Sequence, residues 1–433
     1  MERFDIRSIL GYKRNKTLKF SEFVDEFCEN PDDFLHTSST LLTKAIKHFG
    51  YEIVVRSGEP VISYHIFKDM FNNGTNAVFG QETAIKHLVD SVDSAGKETG
   101  PNRGLVLIGP PASGKTNIID LMTQALEEFT KQKAIKLYSF FFEFRHKDPE
   151  NPRTLELWSS FRHNPLLLFP VMLSKARRSV RARQELLDYV THRHRENKLV
   201  IPTYYQNASL DKCSIDILEG LIQNPLNRGK SLYDILEDYV RVEEIVFSNG
   251  QAKGISNIDD MHLLKIRQKS INLSPEDKVI LDQHLPGCDL VQYVGAMVAS
   301  NRGILHIHDG FSGDPNSAEA DYRPLLMLLG SGKASIDSTQ ASVDNTVMMT
   351  TNLEEMGQLE SRLTAAKLMD RIEKIPVNYL LDANSEMEIL KRDMAIMKEN
   401  YQVDPNLLRI ASYYAVMTRL LPPKRTKYPE NWN

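Results

Sequence analysis

Gly109 to Thr116 read GPPASGKT and fit the pattern G-x-x-x-x-G-K-[ST], the spacing that a chain of phosphates requires. Phosphates need donors without bulk, so Gly109 and Gly114 let the backbone curl and aim N–H groups at an anion beside a helix N-terminus. Lys115 brings a mobile positive charge toward the β and γ phosphates, and the Thr116 hydroxyl is placed to ligate magnesium. Pro110, Pro111, Ala112 and Ser113 complete the loop, and the ligand implied is Mg-ATP.

A second set of polar residues follows far along the chain. In NRGILHIHDG, Gly303 to Ile307 is expected as a strand with Asp309 at its C-terminal edge, where doubly wound sheets bind ligands. Asp309 is expected to hold the magnesium, directly or through water, or to polarise the attacking water. DNTVMMTTN predicts another strand, with Asn352 at its tip orienting water between Lys115 and Asp309. LMDRIEKIPV then places Arg371 at an exposed turn, in reach of the γ phosphate of a neighbouring subunit.

These residues need rigid elements behind them. GLVLI, from Gly104 to Ile108, has the look of a buried parallel strand. KTNIIDLMTQALEEF puts Ile118, Met122, Ala125, Leu126 and Phe129 on one face of a helix. AIKLYSFFFEF, from Ala134, reads as the next strand of the same sheet. Residues 1–76 read as a helical N-terminal segment, in which Leu41, Leu42, Ile46 and Phe49 recur at helical spacing. The nucleotide-binding domain is expected over 77–376 with a long insertion at about 164–289, and a helical lid over 377–433. In that lid Ser385 and Glu388 suggest a capping box, opening a helix with Met387, Leu390, Met394 and Met397 on one stripe.

Composition narrows the class. The 433 residues are 41% hydrophobic and 25% charged, and 53 Lys and Arg against 57 Asp and Glu leave a net charge of −4. That balance recommends neither nucleic acid nor an anionic membrane as partner. No apolar run reaches the ~18 residues of a membrane helix, and the N-terminus lacks a signal-peptide core, so a cytoplasmic protein is expected. Cys28, Cys213 and Cys288 lie far apart without zinc spacing, and the pairs His192/His194 and His306/His308 lack further ligands. The run holding Arg177, Arg178, Arg181, Arg183, Arg193 and Arg195 suggests a nucleic-acid groove, with a solvated helix face as the more common use.

The ordered set of GPPASGKT, GILHIHDG, TTN and DRI before IPV resembles an AAA+ ATPase. FGQE before the loop, NPLLLFP from Asn164, YVRVEEIVFS from Tyr239, PLLMLLGSG from Pro324 and LMDRIEKIPV together resemble the AAA domain of the PrkA serine protein kinase family, patchily from about residue 18 to 420. The resemblance implies an α/β P-loop NTPase fold: a doubly wound parallel sheet with a helical N-terminal segment and a small helical lid. It makes Val78, Phe79 and Gly80 the adenine-side residues and assigns Arg409 or Arg419 on the last helix to the nucleotide, Arg409 foremost. It also implies a homo-oligomer completed in trans by Arg371, a protein substrate or client, and serine kinase activity, for which no HRD, DFG or eukaryotic glycine-rich loop stands in this sequence. Many AAA+ relatives read GILYVDE here, which aligns His308 with the magnesium Asp and leaves two readings open: an ATPase, or an ATP-switched binding module with little hydrolysis.

Overall fold

Leu105 and Leu107 belong to one buried apolar cluster while Val106 and Ile108 belong to another, so the strand Gly104–Ile108 is packed on both faces. Burial on both faces is the mark of a parallel sheet covered by helices. The structure, a computed structural model, describes residues 17–56, 58–133, 135–148, 153–170, 182–311, 322–337, 339–361, 365–398 and 404–420.

The central sheet has five parallel strands in the order Ile372–Pro376, Gly104–Ile108, Thr346–Thr351, Ile304–Ile307, Ile255–Ile258. Val106 sits opposite Met349 on one side and Lys374 on the other, and His306 sits between Met348 and Asn257. One face carries the helices Ser38–His48, Glu82–Gly96 and Lys115–Lys131. The face expected on the last of these is fully buried, from Ile118 to Phe129. The other face packs against the helix Phe20–Glu29 and against a second sheet.

That second sheet corrects one expectation. Tyr138–Arg145 is a strand, but it lies between Val240–Glu244 and Thr154–Trp158 in a four-stranded antiparallel sheet closed by Thr17–Lys19. Its place in the central sheet is taken by Ile255–Ile258, which pairs directly with Ile304–Ile307. Ile255–Ile258 reads ISNI, too short and too polar at its middle to announce a core strand, and it falls within the stretch read as insertion.

Two smaller differences concern the ends. Within the segment read as helical, Tyr51–Arg56 and Glu59–Tyr64 form an antiparallel hairpin. Tyr51, Ile53 and Val55 alternate outward there, a period of two that the helical reading passed over. The helices Ala383–Lys398 and Pro405–Thr418 pack on one another within the stretch expected as a lid. The first is capped by Asp382, whose carboxylate accepts the Ser385 N–H at 2.8 Å and its hydroxyl at 2.6 Å, so Ser385 lies in the first turn rather than at the cap. Among the described residues no helix is long and apolar enough to cross a membrane.

Candidate functional site

The Gly109–Thr116 loop leaves the C-terminal end of its strand and runs straight into the helix Lys115–Lys131. Two glycines make the path possible. A Cβ at Gly109 would lie 1.9 Å from the Val377 carbonyl oxygen, and Gly114 caps the helix with φ of 90°. The Ser113 hydroxyl is buried without a hydrogen-bond partner. Lys115 is also buried, and its Nζ donates to the carbonyls of Gly109 at 2.8 Å and Pro110 at 2.7 Å. Burial lowers its pKa, while the nearby carboxylates of Asp309 and Glu355 push the other way.

The acidic edge meets the loop at a histidine. His308 Nε2 is 3.4 Å from the Thr116 hydroxyl, and His308 Nδ1 is 3.2 Å from the Asp309 carboxylate. Asp309 has φ of 44° and its N–H donates to the Thr350 hydroxyl at 3.1 Å, which turns the chain sharply at the strand's end. Asn352 is already partly engaged. Its side-chain oxygen accepts the Glu355 N–H at 2.8 Å and caps the helix Leu353–Glu360, leaving only its amide N–H groups for a ligand. Glu355 went unnoticed in the sequence: it accepts the Thr351 hydroxyl at 2.8 Å and its charge reaches Lys115. The signal was a carboxylate three residues after a strand-end asparagine, which reads as ordinary helix capping.

Ala112, Ser113 and Gly114 line a cleft of about 280 Å³ together with Val78, Phe79 and the lid residues Arg392 and Arg419. Gly80 sits against the lid connection, where a Cβ would fall 2.0 Å from Leu380 Cδ1. The lid arginine at this cleft is Arg419, not Arg409. Arg409 is exposed and does not line it, because the two lie on different faces of one helix and its end. Arg419 binds the Glu386 carboxylate with both terminal nitrogens, at 2.6 and 3.0 Å, and also the Leu380 carbonyl at 3.1 Å. Arg392, missed in the sequence among many surface cations, donates to the Ala77 carbonyl at 3.1 Å and so ties its helix to the turn at Val78, Phe79 and Gly80. A second cavity of about 810 Å³ adjoins the cleft through Ala77, Val78, Phe79 and Arg392.

These residues fit a nucleotide. The unpartnered Ser113 hydroxyl, the space that only Gly109 leaves, and the buried Lys115 ammonium suit a polyphosphate. Thr116 and Asp309 offer the oxygens that magnesium prefers, with the His308 nitrogen between them.

Arg371 lies apart from the cleft. It is half-buried rather than exposed, resting on Gly330 with Nη1 donating to the Lys367 carbonyl at 3.2 Å. In the arginine-rich run, Arg177, Arg178 and Arg181 lie outside the described residues, while Arg183 is buried and bonds four backbone carbonyls, of Leu167, Phe169, Tyr205 and Ala208. Buried, with four of its five N–H groups on backbone carbonyls, this guanidinium is not presented to a phosphate backbone.

Comparison with known proteins agrees with this geometry at the level of family. Residues 231–427 match the model of the PrkA AAA domain. The chain is 21% identical over 356 residues to the ATP-dependent protease PrkA of Bacillus subtilis (strain 168), an overlap covering 81% of this chain and 48% of that protein. The chain thus spans about half the length of that relative. Among solved structures, NtrX from Brucella abortus in complex with ADP is 12% identical over 55% of each chain with a TM-score of 0.23, and a second NtrX structure gives the same score. Superpositions that loose carry no argument. The domain match, the distant PrkA relative and the five-stranded parallel sheet together make this chain similar to the AAA domain of PrkA, a nucleotide-binding α/β fold.

Proposed function

We propose that the chain is an ATPase module of PrkA type that binds Mg-ATP in the cleft between the Gly109–Thr116 loop and the lid. The observation that carries this reading is the convergence of Ala112–Gly114, Val78 and Phe79, and the lid residues Arg392 and Arg419 on one cavity. Lys115 holds the β and γ phosphates, Thr116 and Asp309 hold the metal, and Asp309 with Glu355 and the Asn352 amide orders the water. Magnesium supplies charge neutralisation on the phosphates when bound. Because Arg392 and Arg419 sit on the lid, nucleotide contact there moves the lid against the sheet, a hinge that converts binding into motion. Arg371 serves a neighbouring subunit's γ phosphate after turning from its resting place on Gly330, which requires a homo-oligomer.

A second reading is favoured by one specific observation, the imidazole of His308 between Thr116 and Asp309. With a nitrogen base at the metal side, the chain acts as an ATP-controlled binding module with little turnover. Transfer to a protein serine and ATP-dependent cleavage of a client, the latter from the name of the Bacillus relative, are further activities within this family reading. One incubation separates them. With γ-labelled ATP and a casein substrate, free phosphate that disappears in Lys115→Met and Arg371→Ala supports the ATPase; labelled protein supports transfer; shortened casein supports proteolysis. Tight ATP binding with none of the three supports the switch, and absence of ATP binding overturns both readings.

A further inference from the structure

Arg162 is a half-buried guanidinium with no carboxylate partner among the described residues. Its Nη1 donates to the Ala299 carbonyl at 3.3 Å, and burial alone lowers its pKa. Withdrawing a charge from water without a counter-ion is unfavourable unless a ligand supplies one. The backbone there is held at φ of 49°, a region that long side chains seldom adopt, and strain of this kind concentrates at functional sites.

Arg162 lines a cavity of about 580 Å³ whose other walls also point to a ligand. Ser139 contributes a buried hydroxyl with no hydrogen-bond partner. Trp158 is 46% exposed, and its ring stacks on Phe141 with centroids 4.4 Å apart, so one face is backed by a rigid aromatic while the other stays open. The cavity shares no lining residue with the cleft at the Gly109–Thr116 loop. It lies at the other end of the central sheet, since Ser248 and Lys253 on its rim precede the strand Ile255–Ile258 whereas the loop follows its own parallel strand.

The charge around the cavity sets the ligand class. Lys131 is paired with Glu127 and Glu128, and two acids, Glu243 and Glu244, share the wall with Arg162. Lys253 on the rim is a further cation, so Lys131, Arg162 and Lys253 against Glu243 and Glu244 leave the lining one positive charge in excess, which suits a single negative charge better than the double charge of a phosphate ester. We propose that this cavity binds an aromatic monocarboxylate, with its ring on the open face of Trp158, its carboxylate on Arg162 and the Ser139 hydroxyl as a second donor.

The test titrates benzoate and 3-phenylpropanoate into the full chain carrying Trp432→Phe, so that Trp158 is the only fluorescent indole. Binding is read from Trp158 emission and by ligand-observed NMR. The carboxylates should bind saturably, while benzamide and cyclohexanecarboxylate bind about tenfold more weakly or worse. Arg162→Met should weaken benzoate about tenfold or more, Arg162→Lys should recover part of the loss, and Trp158→Ala, followed by NMR, should also weaken it. ADP affinity at the distant cleft, unchanged in each variant, reports an intact fold. If Arg162→Met does not fold, Trp158→Ala and Ser139→Ala carry the comparison. No saturable binding of either carboxylate up to about 10 mM, or equal affinity in the folded variants, overturns the proposal.

Discussion

His308 stands between Thr116 and Asp309, with Nε2 at 3.4 Å from the hydroxyl and Nδ1 at 3.2 Å from the carboxylate. The two oxygen donors that suit magnesium are thus bridged by a nitrogen base. Asp120, one turn along the helix from Thr116, also feels His308, whose charge opposes the rise that burial gives its carboxyl. Replacing His308 with Asp puts a hard oxygen donor on the metal side. His308→Asp should tighten ADP binding about tenfold in the presence of magnesium and leave it unchanged in EDTA, as measured by calorimetry. An equal affinity in both conditions would place His308 away from the metal.

Lys115 spends two of its three ammonium protons on the carbonyls of Gly109 and Pro110. Those bonds hold the side chain in the loop but leave no essential core contact to lose on substitution. Lys115→Met should therefore keep its fold by circular dichroism while nucleotide affinity falls by about two orders of magnitude, the loss of a charge-assisted contact in a partly desolvated site. A variant that still binds ATP within a few-fold of the parent would remove Lys115 from the site.

The sequence carried the loop and its helix almost whole, because a phosphate loop needs specified residue types at specified spacing. Ile118, Met122 and Phe129 could be placed on a core face from their period alone. The central sheet was legible only in part. Tyr138–Arg145 has the aromatic density of a core strand, yet density does not say which sheet it joins, and the strand that took its place, Ile255–Ile258, has Ser256 and Asn257 at its centre. Pairing partners are long-range facts. The same limit hid which lid arginine meets the cleft: Arg409 and Arg419 are equivalent by type and lie ten positions, nearly three helical turns, apart, and only packing against Leu380 and Glu386 brings one of them to the cleft.

That choice between arginines can be tested. Arg409 is exposed, so Arg409→Ala should leave both stability and nucleotide affinity nearly unchanged. Arg419→Ala strands the buried Glu386 carboxylate and should cost about 3 kcal/mol in unfolding free energy along with weaker ADP binding. Arg419→Ala combined with Glu386→Gln removes the stranded charge and should restore much of the stability without restoring affinity. Recovery of both in the double variant would show that Arg419 serves the lid alone.

A pH prediction rests on two buried histidines behind the sheet. His36 and His163 are 3% and 0% exposed, and burial, reinforced by the charge of Lys44 at His36 and of Arg302 at both, pulls each down to about 3. Their unfolded value is about 6.5, so between those values the unfolded chain binds protons that the native chain refuses. Stability therefore falls as the pH drops below about 6.5, at up to about 1.4 kcal/mol per pH unit for each histidine. The buried carboxyls of Asp211 and Asp344 are raised by burial and act in the opposite sense from about pH 3.8 upward; both are present in parent and variant, and Asp211 faces His163 Nε2 at 3.9 Å. His163 stacks on Phe161 with centroids 5.2 Å apart, and neither ring nitrogen has a hydrogen-bond partner. His163→Phe keeps that stack and loses no hydrogen bond, so it should fold as the parent does and lose about half a proton's worth of mean slope, about 1.4 kcal/mol in total, in urea titrations between pH 7.5 and 5.5. An undiminished slope would mean that His163 does not exclude its proton in the native chain.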